Sequence, residues 1–505
     1  MSNLLQLRGI SKVYPSVVAN DQIDLDISTG EIHAILGENG AGKSTLMKLI
    51  YGVTQPDAGS MHWQGKPVSI KNPAQARSLG IGMVFQHFSL FESLTVAQNI
   101  SLAVKGSIKS LSEQVESVGE RFGLPISADT LVHSLSVGER QRVEIIRCIL
   151  QKPKLLIMDE PTSVLPPQGV QQLFTTLRKL RDDGCSILYI SHKLEEIRQL
   201  CDNATILRRG AIVATTRPVE QTNEQLAHLM MGRTIAPPEH APATPAATRR
   251  LEVRQLSHVP PDPFGITLKQ INLHVSPGEV VGIAGVSGNG QNELMRLISG
   301  EQLHGKHDSG EILIDNQLVN RFSPIQRRDR GLGFVPEERL GRGAVPDLSL
   351  SYNALLTSYR HGFTRFGMIR YPKVRQFADT CIDANDVRCG GNQSIAASLS
   401  GGNLQKFIVG REMALKPGLL VLSQPTWGLD VGAASNIRNA LLQMRDSGSA
   451  VLVVSEELEE LFEISDRLYV IFDGHLSSPI QTRDTTVNRI GRWMTGEFLN
   501  TSGAA

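Results

Sequence analysis

Cysteine is scarce: Cys148, Cys185, Cys201, Cys381 and Cys389 are the only five in 505 residues, and no two form a C-x-x-C pair. An odd, scattered set argues against a disulfide framework or a thiolate metal site and for reduced packing cysteines. Long hydrophobic runs are also lacking. Stretches such as 419–422 and 450–454 are strand-sized, well short of the roughly 18 apolar residues a membrane-spanning helix needs. Charge of one sign is missing too: 51 Lys and Arg stand against 50 Asp and Glu, a net charge of +1. No global basic field therefore points to nucleic acid. The opening residues, MSNLLQLRGISKVY, lack the apolar stretch of a signal peptide, so the expectation is a cytosolic chain. The rest is ordinary globular composition, 41% hydrophobic and 20% charged, and long enough for two domains.

The chain repeats itself. Residues 28–50, STGEIHAILGENGAGKSTLMKLI, match 276–298, SPGEVVGIAGVSGNGQNELMRLI. LSVGERQRVEIIR (135–147) matches LSGGNLQKFIVGR (399–411), MDEPTSVL (158–165) matches LSQPTWGL (422–429), and ISHKLEEI (190–197) matches VSEELEEL (454–461). Several matches in one order mean a duplicated domain. The expected boundaries are a first domain at 1–235, a Pro/Ala-rich extended linker at 236–249 and a second domain at 250–500. In the first half, KLLIMDE (154–160) and CSILYISH (185–192) read as buried parallel strands with polar C-terminal ends. Ligands bind at those ends in open α/β sheets.

Gly37-Glu38-Asn39-Gly40-Ala41-Gly42-Lys43-Ser44-Thr45 fits G-x-x-x-x-G-K-[ST], between a strand-like and a helix-like segment. The glycines let backbone N–H groups face phosphate oxygens, and the following helix presents its positive end. Lys43 is expected to reach the β- and γ-phosphates and Ser44 to ligate Mg²⁺. Asp159 ends a strand, where it can hold the metal through water; Glu160 beside it can act as general base.

LSVGE (135–139) and LSGGN (399–403) resemble the signature sequence of the ATP-binding cassette family, and the resemblance covers nearly the whole chain. It implies an α/β fold of two tandem P-loop NTPase (RecA-like) cassettes, each with an antiparallel β subdomain and a helical subdomain. It further implies that the signature of one cassette caps the γ-phosphate of ATP held with Mg²⁺ by the other. By the same resemblance Tyr14 is expected to stack on adenine, Gln86 to sense Mg²⁺ and the attacking water, and His192 to contact the γ-phosphate. The fused layout is similar to the ATPases of simple-sugar and nucleoside importers, and MVFQHFSLFESLTVAQNI and QPTWGLDVGA look closest to the nucleoside branch. The implied partners are integral membrane permease subunits and, indirectly, an extracytoplasmic substrate-binding protein, with no nucleic acid. The implied location is peripheral, at the cytoplasmic face of the inner membrane, with one or two copies per transporter left open. Phe88, Leu90 and Phe91 are expected to line the groove that receives the permease.

The second half departs from the pattern. Gln291 and Asn292 stand where Lys43 and Ser44 do, Glu337 where Gln86 does, Ser423 and Gln424 where Asp159 and Glu160 do, and Glu456 where His192 does. Losing one group that stabilises a transition state costs about 10²–10³ in rate, so the second site should be silent. The signatures degrade in the opposite sense. Ser400-Gly401-Gly402 is close to the family form, whereas Val137 is β-branched and resists positive φ and close phosphate approach. In a head-to-tail sandwich the intact phosphate loop therefore faces the intact signature. Pro166 occupies a place where the family commonly carries an acidic residue, kept in the other half as Asp430. The alternative reading is a soluble paired-cassette ATPase acting on ribosomes or nucleic acid.

Overall fold

A computed structural model describes residues 3–14, 17–85, 89–162, 165–191, 193–232, 248–262, 265–305 and 307–501, in two compact units, Met1–Ala236 and Pro237–Ala505. Most of the expected linker lies outside the described residues, as do the predicted site residues Gln86 and His192 and the predicted groove residue Phe88.

In the first unit, alternation makes the opening strands. Along Val17–Ser28, Ile23, Leu25 and Ile27 are buried while Gln22, Asp24 and Asp26 face solvent. This strand pairs with Asn3–Tyr14, which continues through Ala58–Trp63 to Lys66–Val68 as an antiparallel sheet. A second sheet runs in the order Ala211–Thr216, Asn203–Arg208, Ile32–Leu36, Ser186–Ile190, Leu155–Asp159, Ile81–Val84. Its inner pairings are parallel, and IHAIL and SILYI are buried throughout, as strands covered on both faces must be.

The helix Lys43–Ile50 lies between the two sheets. Its Leu46, Met47, Leu49 and Ile50 share one core with Leu5, Leu7 and Ile23 of the antiparallel sheet and Ile35, Ile157 and Leu188 of the parallel one. Each such side chain contributes about 1.5–3 kcal/mol on burial, so the loop entering this helix is held from both sides. A third layer of helices, Val96–Ser101, Ile108–Phe122 and Val137–Ile149, carries the first signature.

The second unit repeats the plan. Leu268–Val275, Leu251–His258, Ser309–Ile314 and Gln317–Leu318 form the antiparallel sheet. The main sheet runs Leu332–Val335, Leu419–Ser423, Ala450–Ser455, Glu279–Ala284, Arg467–Phe472, His475–Leu476. The helix Gln291–Ser299 is again packed between sheets through Leu294, Leu297 and Ile298. Leu350–Ser358, Tyr371–Ala384 and Gly401–Ala414 make the helical layer.

Candidate functional site

Register brings the site together in the first unit. Ile35 and Asp159 both align with Ile190 on the strand between them. The segments leaving the three strands begin with the phosphate loop, Glu160 and Ser191, so they emerge side by side.

The phosphate loop is a tight cradle. A Cβ on Gly37 would lie 2.4 Å from the Leu207 carbonyl oxygen, and one on Gly42 2.2 Å from that of Ala19. Gly42 caps the helix at φ 103°, a left-handed conformation that favours glycine. Lys43 is buried and its Nζ donates to the carbonyls of Gly37 (2.6 Å) and Glu38 (3.1 Å), arching over the loop. Ser44 is exposed at the loop mouth and Thr45 is half-buried. The hairpin that carries Tyr14 reaches the same place: Tyr14 pairs with Val17, and Asn20 Nδ2 donates to the Gly42 carbonyl (3.2 Å). Tyr14 is 38% exposed, with Lys12 Nζ 5.8 Å from its ring centroid. The cradle, the exposed hydroxyl and the strand-end carboxylate of Asp159 are the donor set a Mg²⁺-nucleotide needs.

Glu160 sits just past its strand at φ 47°, with its N–H donating to Ile190 O (2.9 Å). A left-handed glutamate is uncommon and is held only by its surroundings. Sequence reasoning did not find what anchors this corner. Thr162 Oγ1 (2.7 Å) and Tyr189 OH (2.9 Å) donate to buried Glu196, with Ser191 Oγ at 3.3 Å, so one carboxylate ties the segment after Glu160 to the end of the neighbouring strand. Gln141, in the signature helix, donates to the Pro161 carbonyl.

The two signatures differ in a way the residue pattern could have revealed. Ser136 closes a capping box: its hydroxyl (2.7 Å) and its N–H (2.9 Å) both donate to Glu139. An anionic carboxylate therefore already occupies that helix N-terminus. The S-x-x-E spacing was the available signal. In the second signature, Asn403 Nδ2 donates to Ser400 Oγ (2.9 Å), so the serine accepts and keeps its own proton for another acceptor.

The expectation that Val137 is unfit because it resists positive φ is corrected. Val137 and Gly401 are both first residues of α-helices, so neither position calls for positive φ. Gly401 lies against the end of the Arg339 side chain: a Cβ there would come within 2.6 Å of Nη1, so a larger residue would displace the guanidinium. Arg339 also donates to the Trp427 carbonyl and to Gln405 Oε1 (3.1 Å), and its guanidinium lies 4.9 Å from the Trp427 ring centroid. Nothing in the family motifs pointed to it. Asp430 caps the helix Val431–Asp446 through Ala433 N–H (2.7 Å), whereas Pro166 offers no side-chain cap to Pro167–Asp182.

In the second unit the corresponding loop closes on itself. Gln291 Nε2 donates to Val286 O (2.8 Å) and its Oε1 accepts from Asn289 N–H (3.0 Å). Arg342 donates to Asn292 Oδ1 (3.0 Å) and pairs with Glu301 and Glu338. Burial and the neighbouring Glu338 raise the Glu337 carboxyl above its ordinary range, against the pull of Arg342.

Residues 20–163 and 268–427 match the family model described as ABC transporter. The chain belongs to the ABC transporter family. It is 40% identical over 504 residues to the nucleoside import ATP-binding protein NupA of Lactococcus lactis subsp. cremoris, covering 98% of this chain and 99% of that one. It is 39% identical to the guanosine import ATP-binding protein NupO of Bacillus subtilis, over 100% of each chain. To the glucose import ATP-binding protein TsgD13 of Haloferax volcanii it is 39% identical, over 99% of this chain and 97% of that one. Among solved structures, an archaeal ribosome recycling factor in complex with a ribosomal stalk protein aligns over 96% of this chain and 92% of its own, with TM-score 0.63 and 19% identity, a likeness of fold alone. As an ABC protein this chain is an ATPase coupled to transport, built from two P-loop cassettes. No helix among the described residues is long and apolar enough to cross a membrane.

Proposed function

We propose that the chain energises an importer for nucleosides or simple sugars from the cytoplasmic face of the membrane, with one working ATP site. In this reading the first unit's phosphate loop and the second unit's signature form the composite site, and the reciprocal pair is silent. The observation that carries it is the crossed asymmetry. The loop with Lys43, Ser44, Asp159 and Glu160 is matched by the signature whose serine proton is uncommitted, Ser400. The loop with Gln291 and Gln424 is matched by the signature whose serine donates to Glu139.

Each residue then has a role. Tyr14 stacks on adenine. Gly37 to Thr45 cradle the phosphates through backbone N–H groups, Glu38, Asn39, Gly40 and Ala41 forming the loop between the constrained glycines. Lys43 leaves its carbonyl partners for the β- and γ-oxygens. Ser44, Asp159 and Gln86 hold Mg²⁺, which when bound neutralises charge on the phosphates. Glu160 accepts the proton of the attacking water, and His192 and the hydroxyl of Ser400, with the backbone of Gly401 and Gly402, contact the transferred phosphoryl group. ATP binds the closed pairing of cassettes more tightly than the open one, and hydrolysis withdraws that preference. The motion reaches permease subunits, loaded from outside by a substrate-binding protein. Phe91, 61% exposed near the Gln86 segment, and half-buried Leu90 suit a receiving groove. The nucleoside and sugar relatives support the cargo class.

The test is single-turnover hydrolysis by the chain with its permease subunits. One ATP cleaved per chain, abolished by Glu160→Gln with binding kept, is expected; substantial phosphate release from Glu160→Gln overturns the one-site reading. Uptake of labelled guanosine against labelled glucose by the assembled transporter decides the cargo.

A further inference from the structure

The second unit carries an element that the first does not. Between the helices Leu350–Ser358 and Tyr371–Ala384, the chain makes one π-helical turn, Tyr359–Phe363, and then a hairpin pairing Thr364–Arg365 with Met368–Ile369. The corresponding connection in the first unit is residues 102–107, without strands.

Three features of this hairpin point outward. Its tip exposes two large apolar side chains, Phe366 (87%) and Met368 (69%). The tip also breaks a local rule. Phe366 and Gly367 have φ of 51° and 77°, a two-residue turn that favours Asn-Gly. A phenylalanine there is not buried within this chain; the Arg365 guanidinium lies 5.2 Å from its ring centroid, an exposed and therefore weak contact, and a departure with so little packing behind it marks function. Finally, from Leu348 to Ala378 there is no Asp or Glu, against five basic residues, Arg360, Arg365, Arg370, Lys373 and Arg375, in a chain of net charge +1. Arg360 pairs with Asp329. Arg365, Arg370 and Arg375 are exposed and join no ion pair among the described residues.

We infer that this hairpin is a membrane-surface anchor, inserting Phe366 and Met368 among the headgroups of anionic phospholipids while the arginines pair with their phosphates. A convex tip with two apolar side chains is far smaller than the roughly 1,000 Å² a stable protein interface needs. It is sufficient for a bilayer interface, which accepts single rings flanked by snorkelling cations. Anionic lipid also complements the one-signed charge. The anchor rests on the hairpin alone and not on the composite-site reading.

The full chain is floated with phosphatidylcholine vesicles, with and without phosphatidylglycerol. Binding to the anionic vesicles only, weakened by salt, is expected. At about fivefold per charge, replacing Arg365, Arg370 and Arg375 by Gln should lower partitioning about 100-fold. Phe366→Asn suits the turn better, so it should keep the fold and yet lower partitioning by about tenfold, the scale of one buried ring. Phe366→Trp should show a blue-shifted emission with anionic vesicles. ATP turnover, measured on the same samples, reports separately on the catalytic reading. Equal binding to both vesicle types, or variants that float like wild type, overturns the anchor. Variants that float normally but no longer copurify with permease subunits would make the hairpin a protein contact and the lipid assignment wrong.

Discussion

Around the strand-end corner the two units keep the same backbone and differ in what their side chains can do. Glu160 and Gln424 take the same left-handed conformation, φ 47° and 50°, with the same N–H bond to the neighbouring strand, to Ile190 O at 2.9 Å and Val454 O at 2.8 Å. Both buried corner glutamates, Glu196 and Glu460, accept from the threonine after that corner at 2.7–2.8 Å. Gln141 and Gln405 both bond the proline carbonyl there. A loop-closing glutamine replaces the lysine, yet the helix behind it packs as before. The contrast teaches that the corner geometry does not depend on which side chain stands at positions 160 and 424. The second unit's core and corner persist without the carboxylate of Glu160, which lies just past a strand end, and without Lys43, whose contact with the loop carbonyls is replaced by that of Gln291 with Val286 O.

The comparison breaks most visibly at the base. Glu160→Gln should lower phosphate release by about 10²–10³, while Gln424→Ala should change it less than about twofold; comparable losses from both would mean that both sites turn over.

The corner glutamates supply the next largest effect. Lys193 lies 3.6 Å from Glu196, whereas Glu457 takes the equivalent place beside Glu460. Burial first, and then Glu457, push the Glu460 carboxyl from its ordinary 4.5 up to about 7. The folded protein thus holds a proton that the unfolded chain releases. This contribution is full below about pH 4.5 and is lost as pH rises through about 7, a change on the order of 3 kcal/mol. Denaturant unfolding of Glu460→Gln should lose that slope; an unchanged pH dependence would show that another group carries it.

The signatures can be exchanged by one residue. Asn403→Glu should let Ser400 close a capping box like that of Ser136 and place a carboxylate against incoming phosphate. Turnover should fall about tenfold or more, read as kcat against KM for ATP; turnover like wild type would remove the uncommitted serine proton from the account. The smallest effect falls on the first signature. Ser136→Ala should cost about 1 kcal/mol of stability through the lost cap and leave hydrolysis nearly unchanged. A large loss of rate would mean that the first signature also touches nucleotide.

Much of this was legible along the chain. The duplication, the cradle glycines, Lys43, Asp159 and Glu160 follow from spacing, because a phosphate loop and the turn after a strand are built from neighbours in sequence. The S-x-x-E box of Ser136 was equally local. Arg339, Asn20 and Glu196 were not legible. Each acts across a sequence separation of 22 to 88 residues, on Trp427, Gly42 and Thr162 respectively.

The sequence by itself determined the two cassettes and which half keeps the full set of phosphate-loop and strand-end motif residues, since those depend on residue identity at short, regular spacings. Only the tertiary structure decided that Gly401 packs against the end of Arg339, that Glu160 is held in a left-handed turn by a neighbouring strand, and that Phe366 faces solvent. Those outcomes depend on which distant surfaces the core brings into contact, and close packing lets residues far apart in sequence decide what each can do.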